Sequence, residues 1–256
     1  MLSKIRHTWL FAAALLLLMA PACVGVVDDE PLDDEDPVIV DPTVTDAAPG
    51  LVLDFTATWC VNCPRMGDAI EAASRERPGK IFPVAVHFRD DYSFAGGEKL
   101  CSDFGVAAYP SLIVNLDPST LITATAKELI LAKLDATAKG RKAPCTIAGA
   151  VSGTSLTLDV TAEEAGSYSL GVLLLEDGIV APQTGATGDY VHDNVLRAIL
   201  SEADISGDTL GSLEKGASAR KTYSFETPAL SGTGYRILAY TTEDGGLVNN
   251  VISLAL

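Results

Sequence analysis

Leu51-Val-Leu-Asp-Phe-Thr-Ala-Thr-Trp-Cys-Val-Asn-Cys-Pro64 is the stretch whose reading decides the fold. Its apolar start, 51–55, predicts a short buried strand. Thr56, Ala57 and Thr58 end that run, and Trp59 leads into two cysteines three positions apart, Cys60 and Cys63. From Pro64 onward Met66, Ala69, Ile70 and Ala73 recur at spacings of three and four, which predicts a helix. A cysteine pair between a core strand and a helix is a redox constellation. The first sulfur is expected at the helix N-terminus, where unpaired N–H groups and the dipole favour thiolate. The second lies about one turn further in, within reach to resolve a mixed disulfide.

Leu53-Asp54-Phe55-Thr56-Ala57-Thr58-Trp59-Cys60-x-x-Cys63 resembles the active-site segment of thioredoxin-like proteins almost position for position. Further on, Gly105-Val-Ala-Ala-Tyr-Pro-Ser-Leu-Ile-Val114 resembles that family's cis-proline loop and the strand after it, with Pro110 in the proline position. The resemblance implies thiol–disulfide exchange at Cys60 and Cys63, with Asp54 buried beneath the second cysteine as proton acceptor. It also implies that Trp59, Tyr109 and Pro110 bind the substrate. A cis Tyr109–Pro110 bond leaves backbone groups of Tyr109 free to pair with an extended partner chain. The chain departs from the family in having no lysine partner for Asp54 on the next core strand. Val61 and Asn62, between the cysteines, offer no cation to a thiolate, which argues against a strong oxidant. No cofactor is implied. No metal is implied either, because Cys101 and Cys145 lack the spacing of a zinc knuckle.

At 256 residues there is room for two modest domains, and 48% hydrophobic residues suffice for real cores. A net charge of −16 argues against nucleic acid and against charge-driven binding to an anionic membrane surface. Residues 1–22 read as a signal peptide: Lys4, Arg6 and His7 supply a positive start. The apolar stretch 9–19 is short for a membrane span. Residues 23–48 read as an acidic, proline-rich tether. Nine acidic residues and no basic ones fall between 24 and 48, among Pro31, Pro37 and Pro42, and keep the segment extended. Ala20-Pro21-Ala22-Cys23 resembles a bacterial lipoprotein cleavage region, which implies lipidation of Cys23. The other reading is ordinary secretion after Ala22, leaving Cys23 as a stray thiol.

Residues 49–143 are expected to form an α/β thioredoxin-like domain, a mixed sheet flanked by helices. Its further elements are strands at 80–88 and 111–116, a short helix at 98–104 and a terminal helix at 124–139. Residues 144–256 change character. Period-two alternation over 151–160 and strand candidates at 167–175, 221–225, 235–240 and 247–256 predict an all-β antiparallel sandwich. In an oxidising compartment the leftover Cys101 and Cys145 are expected to pair as a structural disulfide.

Asp189-Tyr-Val-His-Asp-Asn-Val-Leu-Arg-Ala-Ile-Leu200 stands out in this half. With Ala181-Pro-Gln and the Cys-Val-Asn-Cys-Pro form of the first motif, it resembles the outer membrane protein twenty-eight-related lipoproteins of Gram-negative bacteria. That resemblance implies a thioredoxin-like domain followed by a β-sandwich, lipid-anchored at the outer membrane of a Gram-negative cell envelope. Helical spacing could place several of His192, Asp193, Asn194 and Arg197 on one face, which reads as a structural hydrogen-bond hub rather than a catalytic set because no nucleophile lies at a telling distance, and His87 reads as a core or edge histidine. Two functions follow. One is an exported thiol–disulfide exchange protein acting on protein thiols, protein disulfides or a redox partner protein. The other is a non-enzymatic outer-membrane or surface scaffold, an adhesion module with a permanent Cys60–Cys63 bridge.

Overall fold

The computed structural model describes residues 48–138, 142–229, 231–243 and 246–256. The expected signal peptide, the lipidation at Cys23 and the tether as far as residue 47 lie outside the described residues.

Strand β1 (Gly50–Thr56) is buried along its whole length. Strand β2 (Ile81–His87) runs parallel on one side of it and β3 (Ser111–Val114) antiparallel on the other. A parallel pair needs a crossover, which helix α1 (Cys63–Glu76) supplies. Helix α2 (Gly97–Asp103) precedes β3, and β4 (Asp117–Ile122) pairs with β3 before helix α3 (Lys127–Ala138). Met66, Ala69, Ile70 and Ala73 of α1 pack with α3 on Val52, Leu112 and Val114. The alternate residues of β1, Leu51, Leu53 and Phe55, face a second core with Leu100 and Cys101 of α2. Two buried faces explain why β1 reads as a continuous apolar run.

In the β-rich part, β5 (Cys145–Ser152), β6 (Ser155–Ala162) and β12 (Ser218–Ser224) form one sheet. Facing it are β7 (Gly166–Asp177), β11 (Asp208–Leu213), β13 (Gly234–Glu243) and β14 (Val248–Ala255). Leu170, Val172 and Leu174 of β7 pack on Ile147, Leu156 and Leu158, closing an antiparallel sandwich. Leu173 and Leu175 point the opposite way, into the core that holds Leu51, Leu53 and Phe55. The second sheet of the sandwich is therefore also a wall of the thioredoxin-like part. Strand β10 (Val195–Ile199) makes the join. It is antiparallel to β7, while Val195 sits beside Ala85 of β2, whose N–H donates to the Asn194 carbonyl at 2.8 Å. Among the described residues the resulting sheet has nine strands. A separate hairpin, β8 (Ile179–Ala181) and β9 (Tyr190–His192), leaves this sheet after β7.

Three expectations need correction. The 151–160 alternation spans a hairpin turn, because Gly153 at φ +55° reverses the chain between β5 and β6. The 189–200 segment is strand, bend and strand, with Asn194 at φ +62°, and not a helix. Arg197 consequently meets Glu176 at 3.3 Å, while the His192 ring meets His87 and Tyr190. Finally, Cys101 and Cys145 are both buried free thiols. They belong to the two different cores served by alternate residues of β7, so the strand layer lies between them.

Candidate functional site

Cys60 and Cys63 form a disulfide at the start of α1, with Cα atoms 5.4 Å apart. The helix begins at Cys63, so the second cysteine, not the first, takes the initial helical position. Cys60 lies in the preceding turn, its N–H on the Ala57 carbonyl at 3.1 Å. Asn62 makes no side-chain cap, and the first turn contains no acidic residue. The Cys63 N–H bonds the Cys60 carbonyl, the Arg65 N–H bonds the Asn62 carbonyl and Pro64 has none, so it is the positive end of the helix that is left to the sulfurs, and it favours thiolate once the pair is reduced. Access is narrow, since Cys60 is only 4% exposed.

Trp59, 48% exposed, anchors its indole N–H on the Phe88 carbonyl at 3.1 Å and meets Tyr109 edge-on, centroids 5.5 Å apart. Tyr109 stacks on Phe88 at 5.0 Å and packs against the two half-cystines. The Tyr109–Pro110 bond is cis. These three candidate substrate-binding residues are therefore brought together beside the disulfide. The Tyr109 hydroxyl donates to Cys101 Sγ at 3.2 Å. Burial, and then that hydrogen bond, push the phenol well above its ordinary range. Burial also raises the Cys101 thiol, and it pushes Cys145 up to about 11. Neither thiol is poised to react.

Behind the bridge stands Asp54 on β1, with Ala85 of β2 and Leu112 of β3 as its register neighbours. Neither can neutralise a carboxylate. Asp54 is 7% exposed, its Oδ1 has no hydrogen-bond partner, and burial pushes its pKa up to about 7. Asp54 and Cys63 line the same cleft, and a carboxyl that titrates near neutrality can take a proton from a thiol or return one.

The β-rich part supplies a clasp that sequence reasoning missed. Gln183 Nε2 donates to the carbonyls of Ala57 (3.2 Å) and Cys60 (2.9 Å), and the Thr184 N–H donates to the Thr58 carbonyl at 2.8 Å. Gly185 has φ +90°, and a Cβ there would lie 2.1 Å from the Val61 carbonyl oxygen, so only glycine fits. Gln183 is 123 residues from Cys60, and its one trace in the sequence was its place after Ala181-Pro. On the other flank Asp90 Oδ2 accepts the Thr58 N–H at 2.8 Å and meets His87 Nδ1 at 2.7 Å. Burial by itself raises the Asp90 carboxyl, but His87 and the Thr58 and Tyr92 N–H groups outweigh it and hold it below the usual range. A cleft of about 620 Å³ opens behind the disulfide, lined by Asp54, Cys63, Ser74, His87, Tyr190 and His192.

The family model of the outer membrane protein Omp28 matches residues 98–256, and that of thioredoxin matches residues 39–135. Their overlap covers α2, β3, β4 and most of α3. No curated protein matches the chain. Among solved structures it is similar to HBP35 of Porphyromonas gingivalis, with a TM-score of 0.63 and 19% identity over 84% of this chain and 77% of that one. It is also similar to a crystal structure of an Agrobacterium tumefaciens protein, with a TM-score of 0.58 and 16% identity over 82% and 96%. At these identities the likeness is one of fold, a thioredoxin-like layer continued by a β-sandwich.

Proposed function

This chain belongs to the outer membrane protein Omp28 family, and on that premise we propose that it is an exported thiol–disulfide exchange protein of the cell envelope. The observation that carries this reading is the Cys60–Cys63 bridge at a helix start without a side-chain cap, beside a cis Tyr109–Pro110 bond and on one cleft with Asp54, whose Oδ1 has no hydrogen-bond partner. In the reduced protein the Cys60 thiolate attacks one sulfur of a partner disulfide, and the other partner sulfur leaves with the electron pair. Cys63 then gives its proton to Asp54 and attacks Cys60 Sγ, which closes the bridge and releases the second partner sulfur. Run in reverse, the same steps oxidise a dithiol. Trp59, Tyr109 and Pro110 hold the partner chain during exchange. Lipid on Cys23 ties the protein to the outer membrane of a Gram-negative cell, and the acidic tether holds the folded part away from the surface. The partners are protein thiols or disulfides, or a dedicated redox protein, and not nucleic acid.

A second reading has its own observation. Both sulfurs are nearly buried, and the Gln183–Thr184–Gly185 clasp grips their loop. Those features suit a non-enzymatic scaffold or adhesion module with a permanent bridge. The reduction potential separates the two. The protein is equilibrated in graded thiol–disulfide buffers and trapped with an alkylating agent, and each cysteine is assigned by peptide mass. A midpoint between about −270 and −120 mV supports exchange, whereas a pair still oxidised below about −300 mV is a structural bridge.

A further inference from the structure

Three residues that line one cleft each hold a buried polar atom without a hydrogen-bond partner among the described residues: Asp54 Oδ1, Ser74 Oγ and His192 Nε2. Such atoms are unfavourable in a dry interior and are satisfied where water reaches them. The cleft has room for a chain of waters, each filling about 30 Å³, and its rim carries the exposed Glu71, Val191 and Asp193.

Strand β9 forms the wall opposite α1. The Tyr190 and His192 rings meet at 4.8 Å, and a Cβ on Gly67 of α1 would sit 3.0 Å from the Tyr190 hydroxyl. Tyr190 therefore crosses from the hairpin to the redox helix. A hydrogen bond to the Ala181 backbone holds the His192 ring. Burial, and then the neighbouring His87, bring the His192 pKa down to about 4. The ring is neutral near pH 7, and Nε2, buried in the cleft wall, carries a lone pair without a hydrogen-bond partner. Other groups face the same space: Asp68 and Glu71 from α1, His87 with its partner Asp90 from β2 and the loop after it, and Asp193 after β9. Burial raises the Tyr190 phenol, and the negative charges of Asp54, Asp68, Asp193 and Glu71 raise it further.

We propose that the β8–β9 hairpin is a working part of the disulfide site, in which Tyr190 and His192 line and order a water path that connects Asp54 to solvent. The inference rests on the exchange reading. When Cys63 attacks a mixed disulfide on Cys60, its S–H proton passes to the Asp54 carboxylate. The Cys60–Cys63 bond forms, the bond from Cys60 to the partner sulfur breaks, and the electron pair leaves on that sulfur. Asp54 then releases the proton to water in the cleft and is again a carboxylate. His192 is a weaker base than Asp54, so it accepts a hydrogen bond from that water and does not take the proton. Tyr190 and His192 are thus positioning residues.

The test mixes the reduced full chain with dithiobis(nitrobenzoate) in a stopped-flow instrument across pH. Attack by Cys60 releases a first thionitrobenzoate in a second-order phase, and closure by Cys63 releases another in a first-order phase. For wild type the closure rate should bend near the Asp54 pKa of about 7. His192→Leu should slow closure about tenfold, less than the roughly hundredfold minimum for a group that itself transfers the proton, and displace that bend. His192→Gln, which keeps an acceptor, should restore most of the rate, and the first phase should be unchanged in both variants. If His192→Leu keeps the wild-type rate and bend while Asp54→Asn loses the bend, this inference is overturned and the exchange reading stands. A wild type that releases no thionitrobenzoate overturns both. Isotope-labelled histidine offers a check that needs no His192 variant. The His192 Nε2 resonance should move as Asp54 titrates and stop doing so in Asp54→Asn, and a resonance fixed through that range also overturns the proposal.

Discussion

Two pairs of cysteines sit in two different surroundings within one chain. Cys60 and Cys63 meet at a helix start, bounded by an aromatic edge in front and a polar cleft behind. Cys101 and Cys145 lie buried in two different cores, Cys101 under the Tyr109 hydroxyl and Cys145 against Thr241 Oγ1, and burial raises both thiols. The residue type is the same, so the difference comes from what surrounds each sulfur. A helix N-terminus and a nearby ionisable carboxyl favour sulfur chemistry, while apolar burial suppresses it.

The sharpest way to break this contrast is Cys60→Ser. Exchange with a model disulfide should fall to the rate without protein, and retained activity would mean that another thiol carries the chemistry. Asp54→Asn is expected to come next. The folded protein holds the Asp54 proton up to about pH 7, against the usual 3.8. Stability therefore falls as pH rises through that window and levels off above it. Chemical denaturation at pH 8 should find Asp54→Asn more stable than wild type by about 4 kcal/mol, with the two converging below pH 4. Equal stabilities at pH 8 would show that the carboxyl is solvated and ordinary.

Gly185→Ala tests how firmly the β-rich part holds the redox loop. A Cβ placed 2.1 Å from the Val61 oxygen at φ +90° should lower unfolding stability by about 2–3 kcal/mol. It should also shift the reduction potential of the bridge, and an unchanged potential would separate the clasp from the chemistry. The smallest effect is expected for Cys101→Ala. Losing one buried sulfur, and with it the acceptor of the Tyr109 hydroxyl, should remove about 1 kcal/mol and leave the exchange rate as it was. In unreduced protein denatured with an alkylating agent present, peptide mass should find Cys101 and Cys145 labelled and Cys60 and Cys63 unlabelled. A Cys101–Cys145 crosslink would erase the comparison.

The sequence by itself determined the thioredoxin-like part, because its signals are local. The apolar run of β1, the three-and-four spacing of α1 and the cysteine pair all lie within 51–76, and the cis-proline loop follows in order. It also indicated the antiparallel strands of the second part, where period-two alternation records one buried face. The 189–200 segment was misread because a strand–bend–strand break at a left-handed Asn194 leaves spacings that mimic a helix. Only the tertiary structure decided that β10 joins the two parts into one sheet, that Gln183 and Gly185 reach the redox loop, and that His192 faces the space behind Asp54. It also decided that Cys101 and Cys145 stay apart. Each of these outcomes depends on contacts between residues far separated along the chain. Local periodicity records which face of an element is buried, and it carries no record of what that face is buried against.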